Sequence, residues 1–252
     1  MITRRIFGGL LLGGMALVVS GCDALVRPST EARYRLTVEV ETPQGINSGS
    51  SVIQLRAVSN PEWMRQSSGR TGGISFKGEA VAVDLGKGKT LFALLRGETN
   101  DVTPFTFLRV AQAVDMADYG DARAMLERMG RGRDVRILPP KMETGCADAL
   151  NCSISAYPLL VTFKDIKDPT SVERVDPDNL EASFGKGYRL KVITVQVTDE
   201  EVTTGIEKRL GWLKSIGLER GTLKSNPPKY LDEVTDPIQL VGPNSFSTEL
   251  FK

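Results

Sequence analysis

The chemistry open to this chain is limited first by a residue type that it lacks. None of its 252 residues is histidine. That removes Ser-His-Asp and Cys-His nucleophilic centres and imidazole-bound zinc, each of which needs the ring as base or ligand. Catalysis would fall to carboxylates, Lys, Ser or Tyr. Asp165, Asp168, Asp176 and Asp178 crowd one polar segment. A calcium loop places acids at alternate positions with a glycine and a terminal Glu; here only Asp176 and Asp178 alternate. These acids are expected to start turns beside Pro169 and Pro177. Ser183 and Lys186 have the spacing at which a lysine can activate a serine, but the companion Lys-Thr-Gly is absent and a loop is the simpler reading. Gly88-Lys89-Thr90 matches the end of a phosphate-cradling loop. That loop needs a glycine where Val83 stands and a helix after the threonine, so a hairpin turn is expected instead. No catalytic, cofactor-binding or metal-ligating residue is predicted, and no cofactor. Three cysteines remain: Cys22, Cys146 and Cys152.

The first of these closes a distinctive stretch. Arg4 and Arg5 precede an uncharged apolar run, Ile6 to Val19, which ends in Val19-Ser20-Gly21-Cys22. The run falls short of the roughly 20 residues that span a bilayer but suits the core of an export signal. Its glycines at 8, 9, 13 and 14 argue against a buried core helix. The stretch resembles the signal peptide and lipobox of bacterial lipoproteins. The resemblance implies cleavage before Cys22, a diacylglyceryl group on its thiol and an acylated new N-terminus, with palmitate and membrane lipid as the partner. Asp23 then resembles the inner-membrane retention signal of enteric Gram-negative lipoproteins. Thr3-Arg4-Arg5-Ile6-Phe7 partly resembles the twin-arginine export motif, although paired arginines also suit an ordinary secretory signal. The implied location is the cell envelope, on the periplasmic face, with the inner membrane favoured over the outer.

Export would place Cys146 and Cys152 in an oxidising compartment. A disulfide across their short loop is therefore favoured over a metal site, which would need further ligands; it would contribute about 2 kcal/mol. Loss of Arg4 and Arg5 with the leader takes the formal charge from +1 to −1. So balanced a body argues against nucleic acid as a partner.

These candidates must be positioned by the elements around them. Tyr34 to Glu41 alternates apolar and polar residues, as a half-buried strand does, and Pro43 to Gly49 reads as a turn before a return strand, Ser51 to Val58. Asn60 to Gly73 reads as a loop. Glu79 to Leu85 and Thr90 to Leu95 flank Gly86-Lys87-Gly88-Lys89 as a β-hairpin. Helical spacing begins at Pro104 and again over Asp121 to Met129. Val135 to Leu138, Pro158 to Lys164 and Tyr188 to Val197 read as strands, with a cysteine loop at Pro139 to Ala156 and a polar loop at Asp165 to Asp178. Thr198 and Glu201 have capping-box spacing, and Val202, Ile206, Leu210 and Leu213 suggest a helix to Ile216. The proline-rich tail from Asn226 reads as an ordered wrap.

Strands, helices, strands and a helix in that order predict an α+β fold with mainly antiparallel sheets and about three helices. The expected division is a leader over 1–21, a lipidated start and tether over 22–33, and one compact domain over 34–252. Gly78 to Leu85 and Pro158 to Leu213 are similar to uncharacterised bacterial envelope proteins, a resemblance that carries no activity. The expected function is a membrane-anchored binding or structural module with an envelope protein partner. The alternative is a carboxylate-dependent hydrolase of an envelope polymer, which needs only a suitably spaced acid pair.

Overall fold

Two long strands set the frame. In the computed structural model, which describes residues 29–68, 72–99, 102–114, 122–144, 152–216, 221–225, 230 and 233–249, β1 runs over Ser29–Thr42 and β2 over Gly45–Ser59. They pair over the full length of β1, from Ser29↔Val58 to Thr42↔Gly45. The predicted strand core is correct, but β1 begins five residues earlier than the alternating run, and the expected turn contracts to Pro43 and Gln44. Tyr34, Leu36, Val38 and Val40 are buried while Arg35, Thr37, Glu39 and Glu41 face outward, as a period of two demands.

The remaining elements, in chain order, are α1 (Glu62–Ser68), β3 (Gly72–Lys77), β4 (Val81–Gly86), β5 (Lys89–Ala93), α2 (Pro104–Ala111), α3 (Ala122–Met129), β6 (Arg136–Ile137), β7 (Lys141–Thr144), β8 (Cys152–Ser155), β9 (Leu160–Phe163), β10 (Val172–Arg174), α4 (Leu180–Phe184), β11 (Arg189–Val197) and α5 (Leu213–Ile216). A five-stranded sheet has the order β3-β2-β1-β11-β6, a four-stranded sheet the order β10-β9-β5-β4, and β7 pairs with β8 alone. Every pairing among these strands is antiparallel. The fold is α+β with antiparallel sheets, as expected, and carries five short α-helices among the described residues where about three were predicted.

Four local readings need correction. The predicted helix from Val202 to Ile216 is a 3-10 turn, Ile206–Lys208, followed by the single-turn α5. Gly205 sits at φ +113°, a left-handed conformation that a continuing helix excludes, and Thr203 bonds the edge of β2 through Val52. Thr198 accepts from the backbone N–H of Glu200 and starts no helix. The loop over Asn60 to Gly73 contains α1, whose first turn is closed by Met64 and Arg65 N–H groups on the Pro61 carbonyl. The cysteine loop is flanked by the β7–β8 hairpin, and the polar loop contains β10.

The four-stranded sheet is covered on both faces. Val81, Val83, Leu85, Leu91, Ala93 and Leu160 join the core beneath the five-stranded sheet, where α2, α3 and α4 also bury their apolar faces. On the other side Phe92, Leu94, Val161 and Val172 meet the chain from Ile206 to Phe246. The two sheets come into main-chain contact where Gly49 of β2 faces the carbonyl of Ala82 in β4, leaving no space for a Cβ.

Candidate functional site

Gly86, Lys87 and Gly88 have φ of +78°, +53° and +75°, and Gly86 pairs with Lys89. This is a mirror-image hairpin turn, matched to the twist of its strands. Lys89 Nζ donates to the Phe184 carbonyl at 2.6 Å and lies 5.2 Å from the Tyr188 ring centre. The lysine of the Gly-Lys-Thr sequence thus closes the end of α4. Ser183 and Lys186 are both exposed around that same end.

The acids of the polar segment act as turn formers. Asp165 Oδ1 accepts from Lys167 N–H, Asp168 Oδ1 from Thr170 N–H and Oγ1, and Asp176 Oδ1 from Asp178 N–H. The Thr170 hydroxyl and backbone bonds hold the Asp168 carboxyl below its ordinary range. Among the described residues no group of three or more His, Cys, Asp or Glu is placed to hold a metal ion. Cys22, Asp23 and Cys146 lie outside the described residues, and Cys152 contributes its backbone opposite Thr144 at the end of the β7–β8 hairpin.

The acid that the structure singles out is Glu79, just before β4 and 2% exposed. Its Oε2 accepts from Ile206 N–H at 2.9 Å and its Oε1 from Ser247 Oγ at 3.3 Å. Its carbonyl accepts from Ser51 Oγ, and its backbone bridges to Ser247. One residue therefore joins β2, the turn at Ile206 and the C-terminal arm. Burial pushes its carboxyl above the ordinary value, and the bonds from Ile206 and Gly205 pull the other way. The sequence signal is slight: one acid between Gly78 and the apolar run Ala80 to Val83.

A concavity lies at the Ser29 end of β1. There β2 pairs residues 29–33, but β11 stops at Val197, opposite Tyr34. The last rung is Thr198 N–H on the Arg33 carbonyl. A cleft of about 330 Å³ occupies the place of the missing strand, lined by Glu31, Ala32, Arg33, Gly130, Arg133, Val197, Thr198 and Asp199. Arg133 pairs with Asp199 at 3.0 Å and Arg56 approaches Glu31 at 3.7 Å; Arg33 bonds Gln54 and the Glu200 carbonyl. An acid catalyst is created by burial or by a like-charged neighbour, whereas both cleft carboxylates are exposed and face guanidinium groups. The cleft's lining is mainly charged and polar. Its walls come from three distant segments, so no local motif announces it.

No helix among the described residues is long and apolar enough to cross a membrane. No protein-family model, curated protein or solved structure matches the chain.

Proposed function

We propose that this chain is a lipid-anchored envelope lipoprotein whose α+β body is a non-enzymatic binding or structural module. The observation that carries the reading is the order of Arg4-Arg5, the apolar run and Val19-Ser20-Gly21-Cys22. In this reading residues 1–21 are removed and Cys22 carries diacylglyceryl and acyl groups. A short tether follows Cys22, and the body behind it is one domain that includes β1 from Ser29. The positions of the acids support a module: Glu79 fastens the C-terminal arm, and Asp165, Asp168 and Asp176 shape turns. A Cys146–Cys152 disulfide would staple the loop that closes the β7–β8 hairpin.

Labelling with palmitate tests the anchor. Wild type takes up label and partitions into detergent, and Cys22→Ser accumulates as an unlabelled, slower-migrating precursor; equal labelling of the two defeats the reading. The same preparations locate the anchor. In a Gram-negative host, wild type sediments with inner membrane and Asp23→Ser shifts towards the outer-membrane fraction.

A further inference from the structure

We propose that the Ser29 end of the five-stranded sheet is a membrane-facing surface, seated on an anionic lipid bilayer through Trp63 and its neighbouring arginines. The proposal rests on the lipid anchor argued above. Seven residue steps separate Cys22 from Ser29, a reach of at most about 25 Å. The end of β1 that bears Ser29 is therefore held at the bilayer. The turn at Pro43-Gln44 is removed from it by the length of the strand, roughly 40 Å.

Topology gathers the relevant side chains at the held end. Ser29 pairs with Val58, and the next residue, Ser59, pairs with Gly72 of β3. Helix α1 connects those two strand ends, so it lies on the membrane side. Its Trp63 is 62% exposed. An indole combines an apolar ring with one N–H donor and partitions to the headgroup layer. By contrast, Trp212 packs against Phe163 and Phe246 and donates its indole N–H to the Ile166 carbonyl.

Arg65, Arg56 and Arg133 surround the same end, with side chains 46%, 53% and 55% exposed, facing Glu62, Glu31 and Asp199. Exposed ion pairs of this kind hold weakly, and a guanidinium binds phosphate in the same two-pronged manner as carboxylate. Lipid phosphate can therefore compete with the carboxylate partners for these guanidinium groups, against the repulsion of the acids it displaces. A second contact of this sort also suits an anchored protein, because a single lipid attachment point fixes position but not orientation.

The full lipidated protein is reconstituted into vesicles of phosphatidylcholine with phosphatidylglycerol, part of the phosphatidylcholine brominated in its acyl chains near the headgroup. Bromine should quench a component of the tryptophan emission in wild type that disappears in Trp63→Phe. That component should fall several-fold in Arg65→Ser/Arg133→Ser, in high salt, and in vesicles without phosphatidylglycerol. Equal quenching of wild type and Trp63→Phe overturns the proposal while palmitate labelling still upholds the anchor. A wild type that takes no palmitate label overturns both.

Discussion

On the face of the four-stranded sheet that looks toward β1 and β2, the buried side chains are aliphatic: Val81, Val83, Leu85, Leu91 and Leu160 meet Leu36, Val38, Ile53 and Leu55. On the opposite face the contacts are aromatic and irregular. Phe92, Phe163, Phe246 and Trp212 form a ring cluster with centroids 5.7 to 5.8 Å apart, and the covering layer, as far as it is described, is 3-10 turns, the single-turn α5 and irregular chain. The first face is built by strands whose backbones are already satisfied, so side chains need only interdigitate. The second is built by a segment with few backbone partners of its own kind, and it has to be fastened at discrete points. Glu79 holds Ile206 and Ser247; Arg96 Nη1 donates to the Leu240 carbonyl at 2.9 Å; Asp236 caps the turn at Ile238. Regular elements hold by area, whereas an irregular layer holds by anchors.

The most damaging test of that contrast is Phe246→Ala. Phe246 is fully buried and joins three other rings, so the expected loss is about 3–5 kcal/mol. The contrast is sharpened if Trp212 emission moves to the red while amide exchange across β1 and β2 stays slow. It breaks if both layers open together.

Glu79→Ala should cost about 1–3 kcal/mol by leaving Ile206 N–H and the Ser247 hydroxyl unpaired in the interior. Titration separates the charge from the bonds. Because the folded carboxyl is raised above its ordinary value, the unfolded chain loses that proton first as pH rises. The carboxyl's contribution is complete below the ordinary value, declines through the window up to the folded value, and is flat beyond it. Thermal melts of wild type should show that decline, and Glu79→Gln should lack it. The smallest effect is expected on the open face of the five-stranded sheet, where Lys191 pairs with Glu39 at 2.8 Å. Lys191→Ala should change stability by about 0–1 kcal/mol, and less in high salt.

The same contrast explains which parts of the molecule were legible beforehand. Tyr34 to Glu41 announced itself because a single buried face imposes alternation, and Tyr188 to Val197 did so for the same reason. The hairpin at Lys87-Gly88 was legible from turn chemistry alone. Ile206, Leu210 and Leu213 were rightly apolar and are buried, but their spacing suggested a helix because periodicity records burial, not backbone. Gly205, with Thr203 tied to β2, decided the backbone there. Helix α1 escaped notice because it presents no apolar stripe, although Asn60-Pro61-Glu62 is a fair start signal. The arginine-lined cleft could not be read at all: Glu31, Gly130, Arg133 and Asp199 become neighbours only once the strand register places β1 five residues beyond the end of β11.

Gly49 carries a consequence of another order. Most of the core can exchange one aliphatic residue for another and repack, because side chains have rotamers to spend. At Gly49 the obstacle is the Ala82 main chain, with the Val83 side chain behind it, and a peptide group has no second rotamer. Even a single methyl would have to be accommodated by rigid displacement of β4, and with it the hairpin and the aromatic layer on its far side. A side chain at position 49 therefore moves a sheet where a core substitution elsewhere moves a rotamer, so the spacing of the two layers is set by main chain at this point.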